Sequence, residues 1–236
     1  MADHPGDHPG PLVFVTDLDH PALSDADAHH LVRVLRLRPG DPLTVADGAG
    51  RFRPAALTDG PAVAPTGEVR AMARREPTVT VGFALVKGEK PELVVQKLTE
   101  LGVDRIVPFR ADRSVVRWDD AKAAKALERL RAVAASAAAQ CHRADLPVID
   151  PVTSLDALLA RDDLGPLAMA DRGGEPPSLD RPTVLVGPEG GWSDRELALP
   201  TARVALGGHV LRAETAAVTA GALLTALRGG VVTERR

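Results

Sequence analysis

The stretch Val184-Leu185-Val186-Gly187-Pro188-Glu189-Gly190-Gly191-Trp192-Ser193-Asp194-Arg195-Glu196 decides how this chain is read. A run of β-formers enters a turn of glycine and proline, and Ser193 with Glu196 three residues on forms a capping box that opens a helix. Glycines in such a turn let a ligand approach the backbone closely, and a helix start offers free N–H groups. The turn lacks the G-K-[ST] of a P-loop and the spacing of G-x-G-x-x-G, which disfavours phosphate binding of those two kinds. Glycine content alone fits a tight turn without a ligand equally well.

Working outward, Leu206-Gly207-Gly208-His209-Val210-Leu211-Arg212-Ala213-Glu214-Thr215-Ala216 also passes from a strand through glycines into a helix. Two such turns at the C-terminal ends of strands would form a ligand crevice in an α/β sheet. The plainer reading of Arg212 and Glu214 is a surface ion pair. Upstream, residues 78–86 alternate, with Val79, Val81, Phe83 and Leu85 on one side. A helix follows with Pro91 in its first turn, burying Val94, Leu98 and Leu101 and stopping at Gly102. Strands are predicted at 106–108, near Val148, and at 167–170, 183–186 and 204–206. Helices are predicted over 119–141, after Ser154, and over 215–228. Strands alternating with helices imply an α/β domain over 76–236 with a mainly parallel sheet.

Residues 1–75 differ in character. Short apolar runs at 12–15 and 43–46 are punctuated by Pro and Gly. Between them Ser24 caps a helix carrying Ala28, Leu31, Val32 and Leu35 on one face, which should stop at Pro39-Gly40. A further strand is expected over 68–73. The segment reads as a small β-rich domain with one helix.

Composition sets outer limits. Of 236 residues, 44% are hydrophobic and 26% charged, which suits a globular chain. Cys141 is the only cysteine, so an intrachain disulfide and a C-x-x-C metal site are excluded, and a reducing cytoplasm fits. The first ten residues lack the basic and apolar regions of a secretory signal, and no apolar run approaches a membrane span. A net charge of −3 opposes nucleic-acid binding by the surface as a whole. Contact with RNA would have to be local and arginine-led, with Arg33, Arg36, Arg38, Arg51 and Arg53 as the cluster able to meet phosphates. For any single arginine a solvated basic face is as good a reading. The seven histidines form no metal-ligand pattern.

Taken together, the two glycine turns resemble the cofactor loops of the SPOUT methyltransferases, in particular the 16S rRNA (uracil(1498)-N(3))-methyltransferase family. That family reads G-P-E-G-G and an aromatic, then L-G-x-x-[IV]-L-R-x-E-T-A. His30-Leu31-Val32-Arg33-Val34-Leu35-Arg36 with Gly40-Asp41 is similar to its H-x-x-x-V-L-R…G-D signature. Lys97-Leu98-Thr99-Glu100-Leu101-Gly102-Val103 with Arg113-Ser114-Val115 is similar to its K-x-T-E-L-G-V…R-S-V pair. Ala139-Gln140-Cys141-His142-Arg143 is a looser form of its E-Q-x-x-R helix end. The matches keep the family's order from about residue 30 to 220. Two departures stand out: Gly208-His209 replaces a common Pro-Arg or similar basic pair, and Cys141-His142 replaces a small polar pair.

The resemblance implies an α/β SPOUT domain with a trefoil knot over 76–236 and a PUA-like β-barrel domain that helps place RNA over 1–75. It implies S-adenosyl-L-methionine (SAM) as cofactor, held by Met169, Val186, Gly187, Glu189, Gly190, Gly191, Leu206, Gly207, Leu211, Arg212, Glu214, Thr215 and Ala216. It implies methylation of N3 of a uridine in 16S rRNA of the small ribosomal subunit, by a cytoplasmic homodimer that needs no metal and no membrane. Arg212 is expected to hold the base or stabilise charge on a uracil oxygen, with Glu189 and Glu214 as proton acceptors. His30, Arg33, Arg36, Arg38, Arg51, Arg53 and Arg113 are the expected RNA contacts. The alternatives are a SPOUT methyltransferase acting on another RNA, and a ribosome-binding protein without catalysis.

Overall fold

The computed structural model describes residues 4–59, 62–86, 88, 90–116 and 118–233. They form two compact units, one holding the described residues up to Arg74 together with Ala135–Leu146, the other Arg75–Ala134 with Pro147 onward. Among the described residues no helix is long and apolar enough to cross a membrane.

In the first unit, β1 (Leu12–Phe14) lies parallel to β2 (Pro42–Ala46). Antiparallel β3 (Arg51–Leu57) then pairs with β2, with β4 (Val63–Pro65) and with the short β5 (Arg70–Ala71). One apolar cluster joins Val13, Leu31, Leu43, Val45 and Leu57; a second joins Leu12, Ala46 and Phe52 to Ala144. Ser24 caps α1 (Asp25–His29) by accepting from the Asp27 N–H. The helix then widens into a π turn over His30–Val34 and ends at Leu35. It stops short of the expected Pro39-Gly40 because Arg36 takes a left-handed φ of 59°, which no helix can continue through.

The segment Ala135–Leu146 belongs to this unit although it lies far along the chain. Its backbone explains why: the Gly50 N–H donates to the Ala144 carbonyl at 3.2 Å and the Leu146 N–H to the Gly48 carbonyl at 2.8 Å. A single boundary at 75/76 does not capture this return.

The second unit is α/β. In chain order it runs β6 (Thr80–Ala84), α2 (Lys90–Glu100), β7 (Arg105–Arg110), α3 (Asp120–Gln140), β8 (Val148–Ile149), β9 (Thr153–Ser154), α4 (Leu155–Leu159), β10 (Leu167–Glu175), β11 (Thr183–Val186), α5 (Asp194–Leu197), β12 (Ala202–Val204) and α6 (Ala213–Arg228). The C-terminal half-turns of α3 pass into the first unit. The sheet order is β12-β10-β11-β6-β7-β8, every pairing is parallel, and β9 also joins β7. Such a sheet buries both faces. On one face Val79, Val81 and Phe83 pack with Val94 and Leu98 of α2 and Ala217, Ala220 and Leu224 of α6. On the other, Ala84, Phe109, Met169, Leu185 and Trp192 pack with Leu155 and Leu158 of α4. β6 is therefore buried throughout, on the side of its alternating apolar residues and on the other.

Arg228 fastens the end of α6. Only 3% exposed in its side chain, it pairs with Asp104 and donates to the carbonyls of Gly102 at 2.7 Å and Pro77 at 3.2 Å.

Candidate functional site

The C-terminal ends of β10, β11 and β12 meet at a cleft of about 250 Å³. Its walls are mostly apolar or backbone: Ala170, Val186, Gly187, Trp192, Leu206, Leu211 and Ala216, with Asp171, Arg172 and His209 supplying polar groups. This is where the crevice of an open parallel sheet is expected. β10 makes room for it: its pairing with β12 is interrupted between Ala170 and Glu175, and Asp171 and Arg172 fall in that interruption.

Trp192 organises the floor. The indole is 7% exposed and its Nε1 donates to the Ala170 carbonyl at 2.9 Å. It stacks on Phe109 with ring centroids 6.1 Å apart and planes 5° apart. Gly187 lies against it, and a Cβ there would sit 2.9 Å from indole Cε2. Only glycine gives the backbone this approach. Gly191 completes the turn at φ 68°, and its N–H donates to the Pro188 carbonyl at 2.8 Å.

The capping box forms as read. Ser193 Oγ accepts from the Glu196 N–H at 3.1 Å, and Glu196 Oε2 accepts from the Ser193 N–H at 2.8 Å. Glu196 is fully buried, and its Oε1 also accepts from the Asp112 N–H at 2.9 Å, tying the turn to the end of β7. Asp112 in turn accepts from Arg195 at 2.9 Å and from Ser193 Oγ at 2.5 Å. The Arg195 bonds, then that from Ser193, hold its carboxyl at about 2, below the ordinary 3.8. Arg113 donates to the Gly190 carbonyl at 3.3 Å and lies 3.7 Å from Asp194.

A second set of charges joins the two glycine turns. Lys90 Nζ donates to Glu189 Oε1 at 2.9 Å and lies 3.4 Å from Glu214 Oε2, the latter an ion pair without hydrogen-bond geometry. The Glu189 hydrogen bond, with Glu214 behind it, raises the ammonium above the usual 10.5 of lysine. Glu189 and Glu214 thus both face Lys90.

The remaining residues singled out in the sequence sort by position. Val186, Gly187, Gly191, Leu206, Gly207, Leu211 and Ala216 line the cleft. Glu189, Gly190, Arg212, Glu214 and Thr215 lie on the same turns without lining it. Arg212 is exposed at the N-cap of α6, with no capping bond from its side chain. Met169 is fully buried in the core and its sulfur receives Arg203 Nη1 at 3.0 Å; the β10 residues that reach the cleft are Ala170, Asp171 and Arg172. Sequence reasoning missed Lys90, Asp171, Arg172, Trp192 and His209 as site residues. Lys90 carries one signal, a cation beside Pro91 at the start of a helix that follows a buried strand.

In the first unit, His30, Arg33, Arg36 and Arg38 are exposed. Arg51 keeps 64% of its side chain exposed while pairing with Asp47 at 2.7 Å. Arg53 differs. It is 16% exposed, donates from Nε and Nη2 to the Gly67 carbonyl at 2.9 and 2.6 Å, and from Nη1 to the Leu18 carbonyl and Asp19. Its donors are spent inside the unit, so Arg53 braces the unit and is not placed as an RNA contact. Among the described residues no group of three His, Cys, Asp or Glu is arranged to hold a metal ion.

A parallel sheet with a glycine-floored cleft at its strand ends defines the class, and the comparisons agree on it. Residues 74–225 match the family model of the RNA methyltransferase domain, and residues 23–61 that of the RNA methyltransferase PUA domain. Ribosomal RNA small subunit methyltransferase E of Mycobacterium bovis is 36% identical, with 91% of this chain and 87% of that protein covered. Its counterpart in Bacillus subtilis is 31% identical, covering 83% and 85%. Among solved structures, a putative methyltransferase from Legionella pneumophila in complex with SAM superposes with a TM-score of 0.79 at 28% identity, covering 91% of this chain and 96% of that one. A ribosomal RNA small subunit methyltransferase E from Neisseria gonorrhoeae bound to S-adenosyl methionine gives 0.76 at 27%, covering 92% and 97%. The fold is that of an RNA methyltransferase. Within that class the chain belongs to the ribosomal RNA small subunit methyltransferase E family.

Proposed function

We propose that the chain methylates N3 of a uridine in 16S rRNA of the small ribosomal subunit, with SAM as methyl donor. The observation that carries this reading is the cleft at the ends of β10, β11 and β12, floored by Gly187 where a Cβ would strike Trp192. A mainly apolar wall with backbone edges and a few polar groups suits a nucleoside joined to an amino-acid tail. When bound there, SAM supplies an electrophilic methyl group on a sulfonium. In the transfer N3 gains the methyl and loses its proton, leaving N3-methyluridine, S-adenosylhomocysteine and one proton.

The protein's own residues orient and stabilise. Val186, Leu206, Leu211 and Trp192 exclude water from the cleft. Arg212, exposed beside it, holds the base and stabilises negative charge on a uracil oxygen. The N3 proton leaves to solvent. The same reading includes a trefoil-knotted domain from about residue 76, a PUA-like domain before it, a homodimer and a cytoplasmic setting; family membership supports each. His30, Arg33, Arg36, Arg38, Arg51 and Arg113 are its RNA contacts.

The test is SAM-dependent methyl transfer to purified small subunits, followed by mapping of the modified base. A single new N3-methyluridine in 16S rRNA is expected. Methylation at another atom, or of another RNA, would overturn the substrate assignment.

A further inference from the structure

Lys90 has no place in the sequence-level account of the site, yet it is the one described cation that touches carboxylates from both glycine turns. Its ammonium sits at the start of α2, beyond the C-terminal end of β6. One partner, Glu189, belongs to the turn after β11; the other, Glu214, to the first turn of α6 after β12. Glu214 is 14% exposed in its side chain and Lys90 35%, so the pair lies partly out of water. Both carboxylates lie within 3.4 Å of this ammonium, which so bridges the two turns that meet at the cleft.

We infer that Lys90 is a positioning residue, an electrostatic clasp that holds the 187–191 turn against the start of α6 and so keeps the cofactor cleft formed. This rests on the proposed methyl-transfer reading for its consequence, though the clasp itself does not. Lys90 does not line the cleft, so it acts through the backbone of the turns and not by touching the cofactor.

The clasp has a signature that plain packing lacks. Replacing Lys90 by Met keeps the length of the stem but removes the charge. Hydrogen exchange of the ligand-free protein should then quicken about fivefold at the amides of 189–192 and 213–216, as expected for loss of a partly exposed double ion pair. Exchange in the strand Arg105–Arg110 should stay unchanged. The KM for SAM should rise by a similar factor and carry most of the loss in kcat/KM. Lys90→Arg should restore both, and adding Glu189→Gln to Lys90→Met should recover part of the loss by removing one of the opposed charges.

Unchanged exchange in Lys90→Met, or Lys90→Arg behaving no better than Lys90→Met, would overturn the clasp. So would a Lys90→Met/Glu189→Gln double variant worse than either single one. Failure of the wild-type protein to bind SAM by calorimetry would overturn the proposed function instead, with the exchange measurement still deciding on Lys90.

Discussion

Gly187→Ala isolates the contact on which the cleft floor rests. The new methyl carbon would meet Trp192 Cε2, Cδ2 and Cζ2 at 2.9, 3.1 and 3.2 Å, all in the six-membered ring of the indole. Carbon atoms pack best at about 3.5–4.0 Å, so each contact is short by several tenths of an ångström. The indole has no easy retreat: Nε1 is bonded to the Ala170 carbonyl on one side, and Phe109 is stacked against the ring. Overpacking of this kind costs about 1–3 kcal/mol. Gly187 is not in the left-handed region, so the cost is steric and resides in the indole ring.

That location makes the reasoning testable by a double-mutant cycle. Trp192→Leu removes the whole indole and the Nε1 donor, and is destabilising alone through lost packing and because the Ala170 carbonyl loses that donor. Once the ring is gone, the methyl introduced at position 187 has space. The double variant should be more stable than the sum of the single effects predicts, by about 1 kcal/mol or more. Urea unfolding followed by far-ultraviolet circular dichroism gives the three midpoints at constant m. Calorimetry should show a loss of about tenfold in SAM affinity for Gly187→Ala, since the turn and the cleft share that backbone. Additivity within about 0.3 kcal/mol would refute the steric account, whatever the size of the single effects.

Other outcomes follow from charges. Arg228→Met takes the guanidinium from two carbonyls and from Asp104, which keeps the Val79 N–H and is 27% exposed, and should cost about 2 kcal/mol in the same unfolding assay. The Asp112 carboxyl is depressed from 3.8 to about 2, so it contributes stability above pH 3.8 that is lost as pH falls through 2. Asp112→Asn should therefore be less stable than wild type at neutral pH, the gap closing over that acid window in pH-titrated unfolding. Arg212→Ala should keep SAM affinity near wild type in calorimetry yet slow transfer by about 100-fold; equal loss of both would make Arg212 a cofactor-binding residue. Arg33→Ala with Arg36→Ala should weaken RNA binding and lower its salt slope by about two, whereas Arg53→Ala should show its effect in thermal stability.

The parts of the fold that were legible are those where one residue type decides one local event. Ser24, Ser154 and Ser193 each accept from the N–H three residues on, as their spacing to the following helix suggests. Both glycine turns reach one cleft. What was illegible depends on neighbours far along the chain. Alternation in β6 sets Val79, Val81, Phe83 and Leu85 on one side, and Thr80, Gly82 and Ala84 on the other are small or polar. They are small because the other face is also covered: a Cβ on Gly82 would lie 2.6 Å from Leu185. The return of Ala135–Leu146 to the first unit rests on backbone bonds to Gly48 and Gly50, which no side-chain pattern announces.

The same distinction explains why the site residues themselves were read unevenly. Backbone turns advertise themselves through glycine, but the side chains that hold turns in place come from other strands. Glu196 reads locally as a capping residue, and its second role, accepting from the Asp112 N–H, needs the end of β7 to be adjacent. Glu189 and Glu214 are read within their own turns; the cation that meets both, Lys90, lies almost a hundred positions before Glu189. At this site Arg212 is exposed beside the cleft, while the two acids share one ammonium that reaches both turns from the start of α2.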